Sequence, residues 1–264
     1  MSGLTPDVLR VGSVPYLVGR PLNAGLGDEP GIELSFDIPA RLSRDLRAGQ
    51  LDVALVSSIE LFRHAGSTYL PGLGVVGEGY VGSVQVFLQR PLAEVRCVRL
   101  DPASRTAQTL VQVLAHEGAG MPRSLSFDVV KAGSDPRLGA DDAWLRIGDR
   151  ALEEHLAEGL AHVNPSELWR AHTGLPFVFA AWIARPGVDL EPHRAAFERA
   201  AARGAAQRES LARAAAKDLG LDPDAVVHYL CKECSFALEP DRQARALETF
   251  GSLAHAAGVQ DPGA

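Results

Sequence analysis

The sequence predicts an α/β fold of two lobes with a cleft between them and a helical C-terminal segment. Short β-rich runs alternate with helical runs from Val8 to Val56, the order expected of a parallel-rich sheet flanked by helices. A middle segment carries a βαβ pattern of its own between two long apolar strands. After Pro192 the sequence is helical in character, with interruptions at glycines and at Asp222-Pro223.

The middle segment sets the expected division of the chain. Val81–Gln89 leads into it and Phe177–Ala184 leads back, so we expect the chain to cross between the lobes twice. Residues 1–91 and 177–264 are then expected to form lobe 1, and residues 92–176 lobe 2. Clefts between α/β lobes, near the carboxyl ends of strands, are common sites for small ligands.

The predicted strands share a high content of β-branched and aliphatic residues. They are Val8–Val14, Ile32–Ile38, Asp52–Val56, Val81–Gln89, Arg96–Asp101, Trp144–Gly148 and Phe177–Ala184. Ile32–Ile38 alternates with a period of two, whereas Asp52–Val56 is a short apolar run typical of a strand buried on both faces.

The helical segments carry start and stop signals. Pro39 opens a helix over Ala40–Ala48, and Gly49 ends it. Ala103–Glu117 has apolar residues at helical spacing. Asn164–Glu167 provides an N-cap asparagine, a proline at the first helical position and a glutamate at the third.

The composition and charge of the chain disfavour several classes of function. The 264 residues include 26 Lys+Arg and 33 Asp+Glu, a net charge of −7, which disfavours phosphate-driven binding of nucleic acid and docking on an anionic membrane. The longest apolar run, Leu175–Ala184, is shorter than the ~20 residues of a membrane span. Met1–Asp7 shows no export signal, and three cysteines are too few for a disulfide scaffold. We therefore expect a cytoplasmic protein.

Three segments place small hydroxylated or acidic residues between a strand and a helix. They are Val56–Glu60, Asp101–Thr106 and Ile147–Arg150. Because a helix N-terminus presents unpaired amides and partial positive charge, these segments are candidates for a shared anion site. Each also fits a plain helix cap, and Ser57-x-x-Glu60 has the spacing of a capping box.

The cysteine pair Cys231-x-x-Cys234, with His228 nearby, provides only half of a zinc site. The surrounding Val226–Phe236 is helical in character, which also disfavours a metal or redox role. No nucleophile elbow, Walker loop or GxGxxG motif is present. The sequence therefore predicts neither a metal nor a cofactor.

Several segments, in order along the chain, resemble one family. They are Arg10–Leu17 with Pro21-Leu22, Leu51–Glu60, Val81–Val84, Leu100–Thr106, Ile147–Leu152, and Leu168-Trp169 with Thr173–Ala180. Together they resemble the chorismate dehydratases of the futalosine route of menaquinone biosynthesis. Each segment alone is unspecific, whereas the ordered set is specific.

The resemblance implies a fold like that of type II periplasmic solute-binding proteins and a chorismate dehydratase activity without a cofactor. Chorismate, as the small-molecule partner, would lose water to give 3-[(1-carboxyvinyl)oxy]benzoate. The substrate-binding residues that it implies share a position facing the cleft. They are Ser57, Ser58, Ser83, Ser104, Arg105, Thr106 and Asp149. Arg105 is the expected partner of a carboxylate, since a guanidinium binds one through two hydrogen bonds.

One departure leaves the catalytic residues unassigned. Family members typically carry asparagine after the Tyr-Leu pair of the first loop, and this chain has Val18. Arg20 and Asn23 are nearby polar candidates, although neither is in register. Since the matching motifs contain no acid–base dyad, the enolpyruvyl carboxylate of chorismate is a candidate base.

Two other functions fit the same residues. A small-carboxylate-binding module would close on its ligand without chemistry, and the missing asparagine keeps that alternative open. The sister enzyme of the same route, which makes 1,4-dihydroxy-6-naphthoate, is the other. The oligomeric state stays open.

Overall fold

Two mixed sheets organise the protein in a computed structural model that describes residues 8–131 and 133–259. Each sheet has a hydrophobic cluster of its own. Residues Met1–Asp7, where the sequence predicts no export signal, lie outside the described residues. Within the described ranges, no helix combines the length and apolar character that a membrane crossing requires.

The strands and helices follow the alternating order that the sequence predicts. In chain order the strands are β1 (Leu9–Ser13), β2 (Ile32–Phe36), β3 (Val53–Ser57), β4 (Thr68–Gly77), β5 (Val84–Leu88), β6 (Cys97–Leu100), β7 (Ser126–Val129), β8 (Ala143–Ile147), β9 (His162–Val163), β10 (Phe177–Ala184) and β11 (Cys234–Ala237). The α-helices are α1 (Arg20–Asn23), α2 (Pro39–Arg47), α3 (Glu60–Arg63), α4 (Arg105–Glu117), α5 (Asp149–Glu158), α6 (Pro165–Thr173), α7 (Arg194–Leu219), α8 (Pro223–His228) and α9 (Pro240–Ala256), and a π-helical turn spans Tyr229–Glu233.

The first sheet has the strand order β11-β4-β10-β3-β1-β2. β1 pairs in parallel with β2 and β3, while β10 runs antiparallel between β3 and β4. The second sheet has the order β7-β6-β8-β5-β9, with β6 parallel to β7 and β8 and with β5 antiparallel to β8 and β9. This two-lobed α/β architecture confirms the predicted fold class.

The pairing of β5 corrects one part of the predicted division. The sequence places Val81–Gln89 in the segment of residues 1–91 that belongs to lobe 1, whereas β5 lies between β8 and β9 of the second sheet. An apolar strand has the same pattern in either sheet, so the sequence alone could not assign it. The chain therefore crosses to the second lobe before Val84. The other boundaries stay a prediction.

Four strands were outside the predicted set, and each has a physical reason. β4 contains Pro71 and three glycines, which mask a strand pattern, and its pairing has bulges. β7 is a largely exposed edge strand, and β9 has only two residues. β11 follows a π-helical turn, so the expectation that the chain is helical throughout after Pro192 is wrong for Cys234–Ala237.

The long helix α7 fixes the loop that follows β1. A side chain on Gly204 of α7 would place its Cβ 1.8 Å from the carbonyl oxygen of Pro21 in α1. Only glycine allows this approach of the two backbones. The contact fixes α1, and with it the end of the loop of residues 14–19 that connects β1 to α1.

The carboxylate of Asp52, directly before β3, is held by two arginines. Its side chain is 1% exposed and accepts hydrogen bonds from the Arg10 side chain at 2.8 and 2.9 Å and from Arg185 at 2.8 and 3.1 Å. Burial opposes ionisation, but the hydrogen bonds from Arg10 and Arg185 outweigh it and lower the pKa of Asp52 to about 2. The ion cluster therefore joins β1, β3 and the end of β10.

We predict that Asp52→Asn lowers the free energy of unfolding by roughly 2–4 kcal/mol at neutral pH, because it leaves two guanidinium groups without their anion. The folded-state pKa lies below the unfolded value, so this stabilisation is present above about pH 4 and is lost as the pH falls towards 2. Urea unfolding at several pH values measures both effects. Asp45→Asn, at an exposed pair with Arg44, serves as the control and should cost less than about 1 kcal/mol. Equal losses in the two variants would contradict the prediction.

Candidate functional site

The cleft between the two sheets contains two adjacent cavities, called here the inner and the outer cavity, that share part of their lining. Both are lined by Tyr16, Pro39, Ala103, Ile147 and Gly148. The inner cavity has a volume of about 90 Å³ and the outer one of about 500 Å³. The inner cavity alone is too small for a ligand of metabolite size, whereas the outer cavity lies within the roughly 300–1,000 Å³ typical of ligand sites.

The inner cavity is apolar with hydroxyl groups set into its wall. Its apolar lining includes Val14, Val18, Leu55, Val76, Val84 and Phe179. The hydroxyl groups come from Tyr16, Ser57, Ser83 and Ser104. Such a surface suits a molecule with an apolar ring and a few oxygen atoms.

The outer cavity carries charges of both signs. Arg146 is only 2% exposed, and its guanidinium donates to Glu154 at 2.7 Å and pairs with Asp135. The carboxyl of Asp101 accepts a hydrogen bond from the Ala103 amide at 2.9 Å and another from the Ile147 amide, while burial raises its pKa. The buried cation is therefore matched by carboxylates, whereas Arg150, which also lines this cavity, is exposed.

Two helices begin at this cleft. Ser104 is the N-cap of α4, where its hydroxyl accepts a hydrogen bond from the Ala107 amide at 3.2 Å. Gly148, with a φ of 68°, immediately precedes α5 and caps it without a side chain. Both residues line the inner cavity, so the positive ends of α4 and α5 face the same cleft.

Four of the seven predicted binding residues lie in this cleft. Ser57, Ser83 and Ser104 line the inner cavity, and Asp149 lines the outer one. The carboxyl of Asp149 accepts a hydrogen bond from the backbone amide of Leu17, while burial raises its pKa. Asp149 thus ties α5 in the second lobe to the loop that follows β1 in the first lobe.

Ser58 and Thr106 lie behind the cleft instead. Ser58 is fully buried, and its hydroxyl donates to the Val178 carbonyl at 2.6 Å. The Thr106 hydroxyl accepts a hydrogen bond from the Ile59 amide at 3.1 Å. These two hydrogen bonds join β10 and α4 to the segment after β3, so the two hydroxyls stabilise the fold.

Arg105 also points away from the cleft. Its guanidinium pairs with the buried carboxylate of Glu60 at 3.0 Å, and the described lining of the two cavities does not include it. The same contact corrects the predicted capping box, since the N-cap of α3 is Ile59 and has no side-chain hydrogen bond. Glu60 binds Arg105 and His64, and Ser57 is left to line the cavity.

The structure separates Val18 from the two catalytic candidates, Arg20 and Asn23. Val18 lines the inner cavity, so an apolar side chain occupies the position where the resemblance implies an asparagine. Arg20 and Asn23 line a different surface depression, beside Phe36. The Asn23 amide oxygen accepts a hydrogen bond from Ser13 at 2.7 Å. Neither polar residue takes the place of that asparagine.

Sequence reasoning missed three residues of the site. Tyr16 lines both cavities, and burial raises its pKa. Tyr229 donates a hydrogen bond to the Ser83 hydroxyl at 2.9 Å from behind the inner cavity. Arg146 could have been found from the sequence, because an arginine within the apolar strand β8 needs buried partners of opposite charge. Tyr229 could not have been found from the sequence, since its segment has no distinctive pattern apart from two cysteines.

Of those two cysteines, one is part of the wall of the cleft. Cys231 lies in the π-helical turn, and Cys234 begins β11 and lines the inner cavity. Both are free thiols. Burial raises the pKa of Cys234 to about 12, so its thiol stays protonated at neutral pH.

Comparisons with known proteins agree on the family. A family model described as menaquinone biosynthesis matches residues 9–256. The chain is 31% identical over 254 residues to a chorismate dehydratase of Thermus thermophilus, an alignment that covers 86% of this chain and 92% of the relative. It is 28% identical over 165 residues to a chorismate dehydratase of Campylobacter jejuni, covering 62% of this chain and 58% of that relative.

Solved structures support the fold. A protein of Archaeoglobus fulgidus has a TM-score of 0.75 at 18% identity, covering 96% of this chain and 98% of that one. The alkanesulfonate-binding protein SsuA of Xanthomonas axonopodis has a TM-score of 0.67 at 14% identity, covering 98% of this chain and 96% of that one. The architecture is that of the periplasmic-binding-protein fold, as the resemblance implied.

The neighbouring serines Ser57 and Ser58 give a direct test of these placements. We predict that Ser58→Ala lowers the free energy of unfolding by about 1–2 kcal/mol, because the Val178 carbonyl is left buried without its donor. Ser57→Ala should change it by less than about 0.5 kcal/mol, since that hydroxyl faces the cavity. Urea unfolding of the two variants measures the difference. A larger loss for Ser57→Ala than for Ser58→Ala would show that the two roles are reversed.

Proposed function

The chain belongs to the menaquinone-biosynthesis family, and we propose that it is a chorismate dehydratase, a hydro-lyase that makes 3-[(1-carboxyvinyl)oxy]benzoate and water. One observation carries the proposal: Ser57, Ser83 and Ser104 share one cavity in a chain that is 31% identical to a chorismate dehydratase over most of its length. The proposal places the enzyme in the cytoplasm, where free cysteines stay reduced.

The form of the cleft supports this substrate. Chorismate has an apolar diene ring that carries a hydroxyl and an enolpyruvyl ether, together with two carboxylates. The apolar wall of the inner cavity suits the ring, and the hydroxyls of Ser57, Ser83 and Ser104 provide neutral hydrogen-bond donors to its oxygen atoms. The wider outer cavity, with the first turn of α5 and Arg150 at its wall, leaves room for the second carboxylate.

The reaction needs little acid–base chemistry from the protein. The ring proton beside the enolpyruvyl ether is removed, the neighbouring hydroxyl leaves with its bonding electrons, and the transferred proton completes the water. The product is a benzene ring, so aromatisation provides the driving force. The tasks left to the protein are to orient the ring and to stabilise the negative charge that develops on it and on the leaving oxygen.

We assign the removal of the proton to the enolpyruvyl carboxylate of the substrate itself. The carboxyls of the outer cavity, Asp101 and Asp149, are held by backbone amides and stabilise loops. Val18 has no side-chain amide to donate a hydrogen bond in the inner cavity. The negative charge that develops on the substrate is therefore stabilised by the serine hydroxyls there. An effective molarity of the order of 10⁵ M or more for a well-oriented internal base makes this route competitive with a protein base.

Incubation of the purified protein with chorismate, with chromatographic detection of the aromatic product, tests the proposal. We expect stoichiometric 3-[(1-carboxyvinyl)oxy]benzoate, and a kcat/KM for Ser57→Ala lower by roughly 10- to 100-fold because a donor to the developing charge is lost. Asp101→Asn and Asp149→Asn should lower kcat by less than about tenfold, since each amide oxygen still accepts a backbone hydrogen bond.

Ser210→Ala, on the exposed face of α7, is the matched control and should retain the activity of the unsubstituted protein. Binding of chorismate without turnover would favour a carboxylate-binding module instead. Turnover of a cyclised futalosine derivative, but not of chorismate, would favour the sister naphthoate synthase. Complete loss of turnover in Asp149→Asn with chorismate binding intact would contradict the assignment of the base.

A further inference from the structure

We infer that Tyr229 is a positioning residue that turns the hydroxyl of Ser83 into an oriented hydrogen-bond donor to the bound substrate. The inference rests on the proposed function. It assigns a role to the π-helical turn Tyr229–Glu233, which the proposed function leaves unused. Tyr229 does not line the described cavities, so it acts through Ser83.

The contact is a buried pair of hydroxyl groups. The Tyr229 hydroxyl donates to the Ser83 Oγ at 2.9 Å, and the two residues are 2% and 5% exposed. The Tyr229 ring lies in the hydrophobic cluster of the first lobe, so surrounding side chains fix its position. Ser83 lies between β4 and β5, in the segment where the chain crosses between the lobes.

Counting protons gives the direction of the donor. A serine hydroxyl has one proton and two lone pairs. Since Ser83 accepts the proton of Tyr229, its own proton is free to point away from Tyr229. Ser83 lines the inner cavity and Tyr229 does not, so we infer that this proton is donated to a ligand oxygen in the cavity.

Cys234 lies in the wall of the same cavity as Ser83. The Cys234 thiol and the Tyr229 hydroxyl both stay protonated at neutral pH because burial raises their pKa values. A phenol that donates to a serine hydroxyl polarises it, which strengthens the serine as a donor in turn. The pair carries no net charge, so it can stabilise an anion without requiring a buried counter-ion.

The backbone around Ser83 is held from both lobes. The Ser83 carbonyl accepts a hydrogen bond from the Gly148 amide at 2.8 Å, on the side of the second lobe. The neighbouring Gly82 amide donates to Glu233, the last residue of the π-helical turn, at 2.7 Å. The turn therefore holds both the backbone and the hydroxyl at the crossing, and π-helical insertions are often found at functional sites.

The role predicts a specific kinetic pattern. The negative charge on the substrate develops only during the reaction, so a hydrogen-bond donor to that charge stabilises the transition state more than the bound substrate. Loss of the donor therefore lowers kcat and leaves KM little changed. A residue that only supports the fold would instead change stability, and its effect would not depend on Ser83.

A double-mutant cycle with Tyr229→Phe and Ser83→Ala tests the inference in the full-length protein with chorismate as the probe. We expect Tyr229→Phe to lower kcat about tenfold, equivalent to roughly 1.4 kcal/mol, with KM changed less than about threefold. Added to Ser83→Ala, the same substitution should cause no further loss of kcat. Tyr69→Phe, which removes a hydroxyl from the half-buried Tyr69 on β4, is the matched control and should leave kcat unchanged.

The outcomes separate this inference from the proposed function. Turnover by the unsubstituted protein with additive losses in the two variants would overturn the role of Tyr229 and leave the dehydratase standing. If the unsubstituted protein binds chorismate without converting it, the proposed dehydratase activity is wrong. The double-mutant cycle is then measured on the affinities for chorismate, determined by calorimetry. Non-additive losses of affinity would support the coupling of Tyr229 and Ser83, and additive losses would overturn it. A protein that neither binds nor converts chorismate overturns both.

A second substitution tests the inference if Tyr229→Phe folds poorly. Site-specific 3-fluorotyrosine at position 229 keeps the ring and strengthens its hydroxyl as a donor. We expect kcat to rise by a factor of about two or more, whereas a fall or no change would contradict the polarised donor.

Discussion

The crossing between the lobes at Gly82 and Ser83 is the constraint on which the rest of the site depends. Tyr229 and Glu233 hold it from the first lobe, and Gly148 holds it from the second. Three short hydrogen bonds on two consecutive residues fix where the two sheets meet. The inner cavity forms at this junction, and a hydroxyl at the junction takes part in both the fold and the cleft.

The electrostatics of the protein limit how an anion could be held in the cleft. A chain with a net charge of −7 repels an anion at long range, and the buried Arg146 is already matched by Glu154 and Asp135. Serine hydroxyls, the N-terminal ends of α4 and α5, and the exposed Arg150 line the cleft. Under the proposed function, a dianionic ligand would be bound by these oriented dipoles, whose strength rises in an apolar cavity, and by Arg150 at the wall.

The sequence predicted the elements more completely than the direction of their side chains. Phe177–Ala184 matched its predicted bounds, because an uninterrupted apolar run has one interpretation. Ser57 and Ser58 are neighbours in the same motif, yet only Ser57 reaches the cavity, since side chains at the end of a strand alternate in direction. Tyr229 could not be found, because its contact with Ser83 joins residues 146 positions apart and depends on a π-helical turn without a sequence signature.

A structure of the protein with 3-[(1-carboxyvinyl)oxy]benzoate bound tests the central claim most directly. The account predicts the aromatic ring against Val18 and Phe179, with Ser83 Oγ within about 3.2 Å of a ligand oxygen and still accepting the hydrogen bond from Tyr229. A product seated in the depression beside Arg20 and Asn23, or a Ser83 hydroxyl turned away from it, would contradict the account.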